Sequence, residues 1–180
     1  TEGQAAEESN PILRALASRN ETLAKKYKTL TKEIADTQAR LTQVTEQLNE
    51  LTKAATTTEQ RVNDIGLTDA IGKMLRKKKR SLADHRKFQR EQASRSETIS
   101  STQLELLELE DERARSLEQT IRRLDLEHIP SSVTLSEAKE LLTIRNDTLA
   151  PLMRAQSQHF DSLVELSAKQ TELVRKTKNF

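Results

Sequence analysis

Between Leu13 and Ile65 a seven-residue repeat runs without interruption, and it limits what this chain can fold into more than any other feature. One series is Leu13, Asn20, Tyr27, Ile34, Leu41, Leu48, Ala55 and Val62; three residues on runs Leu16, Leu23, Leu30, Thr37, Val44, Leu51, Thr58 and Ile65. Only Asn20, Thr37 and Thr58 are polar. Apolar residues at alternating steps of three and four define a helix that buries one seam against other helices. Asn10-Pro11 gives its start, with Asn as the cap and Pro in the first helical position. The spacing predicts a helix over 11–65, which at 1.5 Å per residue is a rod of roughly 80 Å.

The remaining composition fits helices better than a globular core. The 180 residues are 32% charged and 2% aromatic, too few large apolar groups to fill a broad interior. Leu, Ala, Ile and Val lie among Glu, Lys, Arg, Gln and Thr, a mixture that favours helix over strand. High charge with a mean hydropathy of −0.75 also marks disordered chains, but those lack the repeat. No run approaches the roughly eighteen apolar residues of a membrane span. Without cysteine, thiol chemistry, disulfides and cysteine zinc sites are excluded. Thr1 stands where an initiator Met would, no signal peptide is present, and "KTKNF" at the end is still charged and helix-like. Both ends are therefore expected to be boundaries within a longer protein.

The stretch "IGLTDAIGKMLRKKKR" (65–80) has the letters of a phosphate loop but not its spacing. Such a loop needs four residues between its glycines and a hydroxyl after the lysine. Here five residues separate Gly66 from Gly72, and Met74 follows Lys73. The glycines instead suit a helical hairpin. Gly66 falls where the first stripe stops and is expected to take the left-handed C-cap conformation, with Leu67 packing back over the helix ends. Thr68 and Asp69 are the N-cap and acidic first turn of the next helix. Gly72, inside that helix, is expected to permit close helix approach near the tip.

A second helix is predicted over 68–126, with apolar points at Ile71, Leu75, Leu82, Phe88, Ile99, Leu106, Leu117 and Leu124. Its steps of seven and eleven predict a locally relaxed supercoil. Folding at Gly66 sets residues whose numbers add to about 133 side by side, so "AKKYK" (24–28) faces "ELLELEDE" (105–112), base against acid. Pro130 and "SSVT" place a linker at 127–134, and Thr134 with Glu137 has capping-box spacing. A third helix over 135–178 follows. Its stripe of Ala138, Leu142, Leu149, Leu152, Leu163, Leu166 and Leu173 also takes in Arg145, Gln156, His159 and Gln170, and Pro151 is expected to kink it. The fold class is all-α, an elongated antiparallel three-helix coiled coil.

Chemistry that would define an enzyme is missing from the pattern. His85, His128 and His159 are far apart and lack a second ligand at helical spacing; His159 is expected in the core. Carboxylates on an extended rod have no concave pocket to divide their pKa values. No nucleophile elbow occurs. The sequons at Asn20 and Asn146 lie inside predicted helices, where chance supplies such triplets often. No catalytic residue, cofactor or metal is predicted.

One local signal stands out. Lys73, Arg76, Lys77, Lys78, Lys79 and Arg80 form a basic cluster that continues to Arg86, Lys87 and Arg90. Anionic lipid headgroups, an acidic neighbouring subunit or nucleic acid would suit it; a solvated face that keeps hairpin ends apart accounts for the same letters. Nucleic acid is disfavoured because no interleaved aromatics offer stacking platforms. A net charge of +2 also shows that the whole chain is no polycation.

The run "RVNDIGLTDAIGKMLRKKKRSL" (61–82), followed by "QLELLELEDERARSL" (103–117), resembles the periplasmic helical region of the large MscS-type mechanosensitive channels, the KefA-like potassium-efflux proteins. The matching elements are Gly66 to Asp69 with Gly72 and Leu75-Arg76, then the Leu-Glu-Asp-Glu-Arg run ending at Arg113, and the third helix as a whole. "RKKKR" is more basic than that pattern, and the chain stops near where the family continues toward its membrane spans. The resemblance implies a non-catalytic extracytoplasmic stalk or sensor of a bacterial inner-membrane channel that releases ions under osmotic stress. It implies self-association within a homo-oligomer, and the basic tip is where an anionic lipid or envelope component would be met. A freestanding coiled-coil scaffold or adaptor is the alternative.

Overall fold

The computed structural model describes residues 11–81, 85–123 and 132–179, and every described element is helical. In chain order these are α1 (Pro11–Ile65), α2 (Asp69–Ser81), α3 (His85–Ala114), α4 (Leu117–Arg123) and α5 (Ser132–Asn179). The fold is all-α. Asn10, Leu82, Leu124, His128, Pro130 and most of the predicted linker fall outside the described residues.

Threonine is common in α1 although its branched side chain is a poor helix former. Inside the helix these hydroxyls turn back onto its own carbonyls: Thr22, Thr29, Thr31, Thr42, Thr45, Thr52 and Thr56 each donate to the residue four positions earlier. The helix ends at Gly66, which has φ 78° and donates its N–H to the Val62 carbonyl at 2.9 Å. Leu67 does not fold back over the helix ends; it is 79% exposed, and Ile65 is 67% exposed. Beyond the turn, Thr68 Oγ1 accepts the Ile71 N–H at 3.4 Å, a loose N-cap for α2.

The predicted helix over 68–126 is instead divided. α3 ends at Ala114 and α4 starts at Leu117. The division has a local cause at Ser116 and Gln119, which form a capping box. Ser116 Oγ accepts the Gln119 N–H at 3.2 Å, and Gln119 Oε1 accepts the Ser116 N–H at 2.9 Å. Capping there starts a new helix in place of extending the old one. At the other end α5 begins at Ser132, so Thr134 lies inside it rather than before it, and α5 runs on through Pro151.

Two compact units divide the chain, and α1, α3 and α5 contribute a segment to each. In the unit formed by 1–34 and 102–159, Leu23, Leu30 and Ile34 pack with Leu109 of α3 and with Leu149 and Leu152 of α5. Ile12, Leu16 and Ala138 form a second cluster there, edged by Leu117 and Ile121 of α4. In the unit formed by 35–101 and 160–180, Val44, Leu48 and Leu51 pack with Leu166 and Leu173. Burying each such leucine contributes about 1.5–3 kcal/mol before entropy is counted. The second series of the α1 repeat, from Leu16 to Leu51, is buried throughout, whereas Tyr27 of the first series is 41% exposed.

The α3 stripe is more regular than its apolar residues suggest. Arg95, Thr102 and Leu109, at steps of seven, are buried, with Glu112 buried one turn beyond them, and Ile99 and Leu106 lie half-buried between them. Of the three spaced by seven, Arg95 and Thr102 are polar, which hid the repeat.

Candidate functional site

The basic cluster lies on α2. Lys73, Arg76, Lys77, Lys78, Lys79 and Arg80 are all exposed, while Ile71 is buried. The cluster suits the helix that carries it: Asp69 stands in the first turn, and Lys78, Lys79 and Arg80 in the last complement the partial charge of the C-terminal carbonyls. The wider cluster at Arg86 and Lys87 falls on side chains outside those described. Gly72 is not a point of close approach. A Cβ there would meet only the flexible Arg76 guanidinium, at 3.9 Å, and no backbone. Gly66 likewise has open space around it, so its requirement is conformational.

The side chains that the fold does bring together are a set of polar layers between helices. In the first unit, Arg19 of α1 grips Glu112 of α3 at two points: Nε donates to Oε1 at 2.8 Å and Nη2 to Oε2 at 2.5 Å. Seven residues along α1, Lys26 meets Glu105, seven residues back along α3, at 3.1 Å. A step along α1 is thus answered by an equal step back along α3, which makes the two helices antiparallel there. In the second unit Arg40 meets Glu91 at 2.7 Å. All three pairs share one register, two residues off the one expected from a fold at Gly66.

α5 supplies the third member of each layer from its buried seam. Gln156 Nε2 donates to the same Glu105 oxygen that Lys26 meets, at 2.8 Å, and to the Thr102 carbonyl at 3.4 Å. Gln170 Nε2 donates to Glu91 at 3.3 Å, while its Oε1 accepts from Arg95. Arg145 Nη2 donates to the Arg115 carbonyl at 3.1 Å, a group freed where α3 ends. Asn20 of α1 donates to the Leu141 carbonyl at 2.9 Å, between the cluster of Leu16 with Ala138 and that of Leu23 with Leu149, so α1 and α5 run parallel in the first unit. In the second unit Lys176 of α5 donates to Thr52 Oγ1 of α1 at 2.9 Å.

Burial and charge set the protonation of these groups. For Glu112, burial favours the neutral acid, but the Arg19 hydrogen bond and the charges of Arg19, Arg145 and Arg115 outweigh it and hold the carboxyl below its usual range. Burial lowers the Arg95 guanidinium, Arg40 adds to the effect and Glu91 opposes it. His159 is 6% exposed, and burial pulls it below the usual imidazole range against the pull of Glu33 and Glu105.

The sequence pattern places Arg145, Gln156, His159 and Gln170 on the α5 stripe but assigns them no partners. The α3 partners of Gln156 and Gln170 could have been found by counting sevens from Glu112 back to Glu105 and Glu91. Among the described residues, no group of three or more His, Cys, Asp or Glu is placed to hold a metal. Compared with protein-family models, with curated proteins and with solved structures, the chain matches none.

Proposed function

We propose that the chain is a non-catalytic structural module, an elongated antiparallel three-helix coiled coil that acts as the extracytoplasmic stalk or sensor of an MscS-type mechanosensitive channel. The observation that carries the structural part is the repeated polar layer. Charged groups at multiples of seven residues on α1 and α3 select one register, which a spacer needs in order to transmit displacement without slipping. The letters at 61–82 and 103–117 direct this reading toward a channel. Among the described residues no helix is long and apolar enough to cross a membrane, so the pore in this reading belongs to other parts of the protein.

A freestanding scaffold is the second reading, favoured by exposed Leu104 and Leu107. They are 58% and 53% exposed, three residues apart on one face of α3, and would suit a partner helix. The experiment that separates the readings is fractionation of the native gene product, followed by patch recording from liposomes that contain it. Tension-gated current that changes when 11–179 is deleted upholds the stalk; recovery of the intact protein in the soluble fraction removes the channel and leaves the scaffold.

A further inference from the structure

A cavity of about 510 Å³ opens in the first unit where α3 gives way to α4, and its charge is lopsided. Four arginines line it, Arg19, Arg115, Arg123 and Arg145, against one carboxylate, Glu112. They come from four parts of the fold: Arg19 from α1, Arg115 from the break, Arg123 from the end of α4 and Arg145 from α5. Ala15 and Leu16 supply an apolar patch beside them. The volume is within the range of small-molecule sites.

Arg145 is the reason to look for a ligand here. It is 2% exposed, and a buried cation needs a compensating charge. Its neighbouring carboxylate, Glu112, attracts it, but both Glu112 oxygens are hydrogen-bonded to Arg19, and this one anion is shared among Arg19, Arg115 and Arg145. What Arg145 holds instead are neutral oxygens: Thr120 Oγ1 at 3.3 Å, the Arg115 carbonyl at 3.1 Å and Asn146 Oδ1 at 3.3 and 3.4 Å. Most of these bonds are long. The helix break that exposes the Arg115 carbonyl also brings Arg115 to the cavity wall, while Arg123, which lines it too, is exposed to solvent.

We infer that this cavity binds a small phosphorylated ligand, with Arg145 at its floor and Arg19, Arg115 and Arg123 around the phosphate. Guanidinium groups converging from separate elements match the several oxygens and double charge of a phosphomonoester better than the single charge of a carboxylate. A bound dianion offsets the mutual repulsion of Arg145, Arg115 and Arg19. The basic cluster on α2 is a separate feature and serves as the control.

The test is titration calorimetry of the intact protein with inorganic phosphate and glycerol 3-phosphate, with sodium acetate at matched ionic strength as reference. Vesicles containing phosphatidic acid form a parallel arm. Saturable binding to phosphate groups, weakened about tenfold or more by Arg115→Gln with Arg123→Gln and, for the soluble phosphates, unchanged by replacing Lys77, Lys78 and Lys79 with Gln, upholds the site. Circular dichroism confirms that the variants keep their helices. Binding to glycerol 3-phosphate identifies a soluble ligand and binding confined to vesicles identifies a lipid headgroup, each consistent with the same cavity. Absence of saturable binding in both arms, equal affinity for acetate, or an equal loss of soluble-phosphate binding in the α2 variant would overturn it.

Discussion

Arg19 and Glu112, 93 positions apart in sequence, meet through a two-point ion pair. Their exposures differ, at 44% and 10%, so the two ends of the pair are not equivalent. Arg19→Ala removes a partly solvated group and should cost about 1 kcal/mol after screening. Glu112→Gln leaves Arg19, Arg115 and Arg145 facing one another without their shared anion, and should cost about 2–3 kcal/mol. Because the folded-state pKa of Glu112 is depressed, its contribution is complete above the unfolded carboxylate pKa of about 4.3 and fades as pH falls through the folded value. Urea unfolding at pH 7 and at pH 3 should show the gap between wild type and Glu112→Gln narrowing in acid.

The two buried glutamines of α5 should respond differently to replacement by leucine. Gln170 accepts from Arg95, which is 7% exposed, so Gln170→Leu strands a buried guanidinium and should destabilise by about 1–3 kcal/mol. Gln156 carries an Oε1 that is buried without a hydrogen-bond partner. Removing that orphan offsets the loss of the Glu105 bond, and Gln156→Leu should change stability by less than about 1 kcal/mol. Thermal unfolding of the two variants side by side checks the ordering.

His159 should give the fold a pH dependence near neutrality. The folded state holds the imidazole neutral, so its pKa is below the unfolded value of about 6.5. Between the two values the unfolded chain binds the extra proton, and stability must fall as pH falls through that window. Glu33 and Glu105 temper the effect. Unfolding free energies from pH 7.5 to 5 should decline in wild type and flatten over that window in His159→Phe.

The glycines of the 65–80 stretch make an opposed pair. Gly66 holds φ 78°, where a side chain is strained, and Gly66→Ala should cost about 1 kcal/mol. Gly72 sits within α2 with no obstruction closer than the Arg76 guanidinium, so Gly72→Ala should stabilise by about 0.5–1 kcal/mol. Melting temperatures should move in opposite directions.

How much of this was legible in the sequence depended on whether a position is apolar. α1 could be placed from its leucines because burial of apolar side chains drives helix packing and shows directly in residue type. The α3 seam could not, since Arg95 and Thr102 occupy it and a search for apolar residues passes over them. The break before α4 is written plainly in Ser116-Leu-Glu-Gln119, yet hydrophobic spacing alone carries a helix straight through it. The charge match of 24–28 with 105–112 does lead to Lys26 and Glu105. It misses the register by two residues because complementary blocks of charge tolerate such a slip, whereas individual pairs do not. The arginine cavity was invisible, for it joins residues from four elements.

Register is the property on which a spacer depends, and the absence of native cysteine makes it directly measurable. Two double variants, Lys26→Cys with Glu105→Cys and Lys26→Cys with Leu107→Cys, should be oxidised mildly and compared for intramolecular disulfide. Rapid closure of the 26/105 pair and slow closure of the 26/107 pair is the result expected from the Lys26–Glu105 contact at 3.1 Å. Faster closure of 26/107, or equal rates for both, would contradict a fixed register and with it the structural role proposed for the chain.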